Sequence, residues 1–192
     1  MREYSALTLI PLKAGARVAE QEPPGRVGLD DPAFSVMTDL REVSAATITP
    51  GEPMTRAHAH MIERHVRLLF VLDPQGAIVG VITATDLLGE KPMRFMQSHG
   101  VARTDISVAD LMTPASMLEA IPLQDVAQMR VGHIVATHKA VGRQHIMVAE
   151  EGGKRVRGLF SASQVARQLG LEAQAITEVA RTFADIEAAL VR

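Results

Sequence analysis

Apolar residues along this chain change period in a fixed order, and the order occurs twice. Ala46-Thr47-Ile48-Thr49 reads as a short strand closed by the turn pair Pro50-Gly51. Met54, Ala57, Met61, Ile62 and His65 then recur at helical spacing and define one buried stripe. Arg67 to Leu72 is a continuous apolar run that breaks at Asp73-Pro74-Gln75-Gly76, which predicts a buried strand entering a turn. Ala77 to Thr83 is the return strand of that hairpin, and Thr85-Asp86 opens a helix through Leu87 and Leu88. The predicted order is β-α-β-β-α.

The second copy follows the same order. Leu118 to Ile121 is its first strand, and Val131, Ile134, Val135, His138 and Val141 mark its helix. His145 to Ala149 and Val156 to Phe160 form its hairpin around Glu151-Gly152-Gly153-Lys154, and Ser163-Gln164 opens the closing helix. Two motifs repeat at similar separations. Val36-Met37-Thr38-Asp39 matches Leu111-Met112-Thr113-Pro114 loosely. Gly80-Val81-Ile82-Thr83-Ala84-Thr85-Asp86-Leu87 matches Gly158-Leu159-Phe160-Ser161-Ala162-Ser163-Gln164-Val165 closely.

Outside the repeats, residues 1–35 are an N-terminal extension whose polar Pro/Gly-rich part, Glu20 to Asp31, reads as a linker. The first repeat spans 36–95 and the second 105–170, with Glu90 to Asp105 as the connection. Residues 171–192 carry Ile176, Val179, Ala180, Phe183, Ile186 and Leu190 at close to helical spacing, so a final amphipathic helix is expected there.

Composition narrows the chemistry. The chain has 192 residues, 47% hydrophobic and 22% charged, enough for one ordinary or two small domains and too apolar for a disordered tail. It contains no Cys, which excludes disulfides, thiolate metal sites and a cysteine nucleophile. A net charge of −2 and only five Phe, one Tyr and no Trp argue against a nucleic-acid surface. No uncharged apolar run approaches the roughly 20 residues of a membrane span, and Met1-Arg2-Glu3 begins a poor signal peptide, so a cytoplasmic protein without membrane insertion is expected. His58 and His60 fall on different helix faces, so no metal site is expected. No Ser/His/Asp or paired-carboxylate pattern stands out, so no catalytic residues are expected and the chain does not read as an enzyme.

The twofold β-α-β-β-α unit, with Gly80, Thr83 and Asp86 in the pattern Gly-apolar-x-Thr/Ser-x-x-Asp/Asn, resembles a tandem pair of CBS domains over roughly 36–170. In the second copy Gly158 and Ser161 fit, but Gln164 replaces the acid. The resemblance implies an α+β fold in which two repeats pack pseudo-symmetrically through their sheets. It also implies clefts for an adenine nucleotide (AMP, ADP or ATP) or S-adenosylmethionine. It places the ribose on Asp86, phosphate on Thr83, Thr85 and Arg67, and adenine near Leu118 and Gln144, with Ser161, Ser163 and Gln164 as a weaker second site. A homodimer and an unidentified protein target are further expectations. The alternative is a ligand-free dimerisation or protein-interaction module.

The residues give these assignments a physical basis. An ionised carboxylate accepts hydrogen bonds, and a cis-diol offers two donors to it. Charge-assisted bonds of this kind contribute about 1.5–3 kcal/mol each. Thr85 and Asp86 sit where a strand gives way to a helix, whose free N–H groups favour an anion, and Arg67 stands at the mouth of a strand. The plainer reading of Thr85 and Asp86 is a helix cap.

Overall fold

The computed structural model describes residues 26–170, together with Pro11. The first repeat contains β2 (Thr47–Ile48), α1 (Met54–Glu63), β3 (Leu68–Leu72), β4 (Ile78–Thr83) and α2 (Ala84–Leu88). The second contains β6 (Ala120–Pro122), α5 (Leu123–Val126), α6 (Val131–Val141), β7 (His145–Glu150), β8 (Arg155–Ser161) and α7 (Ala162–Gln168). The leading strand of the first repeat is β1 (Thr38–Asp39), that of the second is β5 (Thr113–Pro114) after α4 (Val108–Leu111), and α3 (Lys91–His99) lies between α2 and α4. The α+β fold of two related units is as the sequence implied. The connection from Glu90 to Asp105 is more structured than expected, because α3 fills most of it. The helix expected at 171–192 lies outside the described residues.

Each sheet has four strands, in the orders β2-β3-β4-β5 and β1-β8-β7-β6. The repeats therefore exchange their leading strands. Thr38 and Asp39 pair with Leu159 and Gly158 of the second repeat, while Thr113 and Pro114 pair with Val81 and Gly80 of the first. Residues 26–35, expected as extension and partly as linker, pack on the second repeat. Ala33 and Val36 are in its core, Val27 N–H donates to the Gln168 carbonyl (3.1 Å), and Val131 N–H donates to the Asp31 carbonyl (2.9 Å).

The hairpin strands are apolar on both faces because both faces are covered. Leu69, Val71 and Ile82 point to the helices of the first repeat, and Ile146, Val148 and Phe160 to those of the second. The alternate residues Leu68, Phe70, Val81 and Met147, with Leu159 and Val156 beside them, form a third cluster that joins the two sheets. This layer is the pseudo-symmetric packing through sheets. One detail of the predicted α1 stripe fails. Met54, Ala57 and Met61 are buried, but Ile62 is 61% exposed, and His65 lies beyond the helix with a φ of 52°. The helix ends one residue before Arg64, so the 3.6-residue pattern no longer governs His65. Val141, predicted on the α6 stripe, is likewise exposed at the last turn of its helix.

Candidate functional site

The motif Gly80…Thr83…Asp86 spans the junction of β4 and α2. Thr83, not Thr85, is the N-cap of α2: its Oγ1 accepts from Asp86 N–H (3.3 Å), while Asp86 Oδ2 accepts from Thr83 N–H (2.9 Å) and from Thr83 Oγ1 (2.6 Å). This reciprocal arrangement is a capping box. Asp86 is buried, and its other oxygen, Oδ1, lies 2.5 Å from Lys91 Nζ at the start of α3. Lys91 Nζ also donates to the Leu111 carbonyl (3.2 Å). Thr85 is exposed, and its carbonyl accepts from Gly89 N–H (2.9 Å).

Arg67 precedes β3, and its carbonyl accepts from Ala84 N–H (2.9 Å), which fixes it beside the first turn of α2. The Gln144 carbonyl accepts from Ala162 N–H (2.9 Å) in the same way, so Gln144 is the counterpart of Arg67 in the second repeat. Next to Gln144, His145 stands at the start of β7. Its Nδ1 is buried without a hydrogen-bond partner. Burial first, then His138 and Arg67, push its pKa down to about 4, against a smaller upward pull from Asp86. Asp86 and Arg67 of the first repeat thus act electrostatically on the start of β7 in the second.

The second motif is built differently. Ser161 makes no side-chain cap; its hydroxyl shares a hydrogen bond with that of Ser163 (3.1 Å). Gln164 Oε1 accepts from Thr38 Oγ1 (3.1 Å), so the residue in the acid's position binds the exchanged strand β1. Leu118 packs beside the inter-sheet cluster and lines an open cleft of about 1290 Å³. That cleft runs between Gly76 to Ile78 of the first hairpin tip and β6, α5 and Lys154 of the second repeat. Asp86, Thr83, Thr85, Arg67 and Gln144 are not among its walls.

Sequence reasoning missed Lys91 and His145 as individual groups. A base five residues after Asp86 and immediately before the helix-starting Pro92 was the available signal for Lys91. Among the described residues there is no group of three or more His, Asp or Glu that would hold a metal ion, and no helix long and apolar enough to cross a membrane.

Residues 33–92 match the family model of the CBS domain. No curated protein matches the sequence. The fold is similar to solved structures of low identity. A CBS-domain containing protein from Agrobacterium tumefaciens is 17% identical with a TM-score of 0.55, over 73% of this chain and 95% of that one. An uncharacterized conserved protein from Pyrococcus horikoshii is 23% identical with a TM-score of 0.53, over 73% and 92%. CBSX2, a CBS-pair protein of Arabidopsis thaliana solved in complex with AMP, is 20% identical with a TM-score of 0.51, over 71% and 94%.

Proposed function

We propose that this chain, which carries a CBS domain at residues 33–92 and has the fold of CBS-pair proteins, is a regulatory module that binds an adenosine-containing ligand at Asp86 and signals by a change of conformation. The observation that carries this reading is the buried Asp86 carboxylate at the junction of β4 and α2, where the Arg67 backbone is also fixed. An ionised carboxylate has roughly four acceptor positions. Thr83 takes two, both on Oδ2, and Lys91 takes one on Oδ1. Oδ1 is therefore the oxygen that a ribose hydroxyl would use. AMP bound to CBSX2 is the precedent among proteins of this fold.

In this reading a ligand changes the module only through unequal affinity for two states. The active unit is a homodimer whose shape a protein target reads. Ile62, Leu88 and Met93, all more than 60% exposed on α1, α2 and α3, would be covered by the second copy.

The test is a thermal-shift and calorimetric panel of AMP, ADP, ATP and S-adenosylmethionine. A ligand at 100 times its Kd stabilises by about 2.7 kcal/mol. Asp86→Ala should abolish the tight binding, and Gln164→Ala should leave it. A flat response to the whole panel favours the second reading, a ligand-free interaction module. The occupation of Asp86 by Thr83 and Lys91 is the observation on that side.

A further inference from the structure

We propose that Lys91 makes the Asp86 site selective for phosphate-bearing adenosine ligands over neutral or cationic ones. The inference rests on the reading of Asp86 as the ribose seat. Asp86 is fixed: it is 9% exposed, and Oδ2 is held by two bonds from Thr83. The Lys91 side chain is 49% exposed with its Nζ on Asp86 Oδ1 and the Leu111 carbonyl, while the buried Pro92 that follows anchors its backbone. A diol reaching Oδ1 must displace the ammonium or share the oxygen with it.

Charge balance then decides which ligands are accepted. In the ligand-free chain Lys91 neutralises Asp86. A neutral adenosine would leave the displaced ammonium without its carboxylate partner. The acid beside Lys91 in sequence, Glu90, is engaged by Arg94 at 2.5 Å, and Asp110 is held by Ser107. A ligand phosphate supplies the missing anion. A sulfonium centre adds positive charge beside the displaced ammonium.

The second repeat supports treating the two charges as one device. Gln164 stands where the first repeat has Asp86, and at the same offset of 78 residues Leu169 stands where it has Lys91. Leu169 is buried in the core of its repeat. Acid and base are present together in one repeat and absent together in the other.

The test is calorimetry of adenosine, AMP, ADP and S-adenosylmethionine on the full chain, as wild type and as Lys91→Met, which keeps length and removes charge. Wild type should bind AMP at least ~10-fold more tightly than adenosine or S-adenosylmethionine. Lys91→Met should shrink the preference for AMP over adenosine by ~10-fold or more, with adenosine binding held or improved. If the variant does not fold, salt dependence of the wild type serves instead: added NaCl should weaken AMP and leave adenosine unchanged. A wild-type preference kept in Lys91→Met, or AMP and adenosine equal in affinity or in salt response, overturns the role of Lys91 and leaves the ribose seat standing. If no ligand of the panel binds, the ribose seat falls and the selectivity falls with it.

Discussion

The carbonyl oxygen of Thr38 stands 2.7 Å from the point where a Cβ on residue 158 would sit, and Gly158 is the reason the exchanged strand can lie there. The first repeat repeats the relationship. A Cβ on Gly80 would meet the Thr113 carbonyl at 2.6 Å and Met112 Sδ at 2.9 Å. In both cases the obstacle includes backbone, which cannot swing away. Gly158→Ala and Gly80→Ala should each destabilise by about 1–3 kcal/mol, read as a lower denaturant midpoint. A midpoint equal to wild type in both variants would show that β1 and β5 are not held as described.

These two glycines also show what the sequence disclosed and what it hid. The repeat of Gly80 as Gly158, and the double-sided apolar runs of the hairpins, were legible because period and chemistry both recur over many residues. The exchange of β1 and β5 was not. Strands of two residues have no period to read, and pairings such as Thr38 with Leu159 and Val81 with Thr113 leave no local trace. For the same reason Val27 to Ser35, interrupted by Pro32, read as linker and extension and Val36 as the start of the first repeat, although Ala33 and Val36 enter the core of the second. At the site, the pattern pointed to Asp86, but the state of its two oxygens depends on Lys91, which only the path of α3 brings near.

His145 should make the chain acid-sensitive. Folded, it stays neutral down to about pH 4; unfolded, it takes up a proton near 6.5. Below 6.5 the unfolded state binds more protons, so stability falls as pH drops toward 4 and levels off beneath it. The expected loss between pH 7 and pH 5 is roughly 1–2 kcal/mol. His145→Leu, which installs the residue type found at Leu68 in the matching strand, should flatten that part of the profile in chemical denaturation. Burial also lowers the pKa of His138, which would leave a smaller slope of the same sign.

Asp39 and Arg157 tie β1 to β8 by a two-pronged ion pair. The Arg157 hydrogen bonds, and then the Arg41 N–H, hold the Asp39 carboxyl below its ordinary 3.8. Its contribution is present above the ordinary value and is lost as pH falls below 3.8 through the lower folded value. Asp39→Asn should therefore lower Tm at pH 7 and narrow the Tm difference between pH 7 and pH 3. An unchanged difference would mean that the exchanged strand does not depend on this pair.

The two motifs predict unequal responses to loss of the matching hydroxyl. Thr83 closes a capping box on Asp86, so Thr83→Ala removes a cap and a donor to a buried carboxylate at once. The expected cost is about 1–2 kcal/mol. Ser161 occupies the matching place but makes no side-chain cap; among the described residues its hydroxyl meets that of Ser163. Ser161→Ala should stay within about 0.5 kcal/mol of wild type. In the second repeat the measurable polar contact is instead from Thr38 to Gln164, and Gln164→Ala should cost about 0.5–1.5 kcal/mol. The three variants, compared by denaturant midpoint, separate a motif kept for its charge from one reused to fasten a strand. Equal losses for Thr83→Ala and Ser161→Ala would show that both hydroxyls serve the same structural end, and the asymmetry between the sites would have to rest on Asp86 and Lys91 alone.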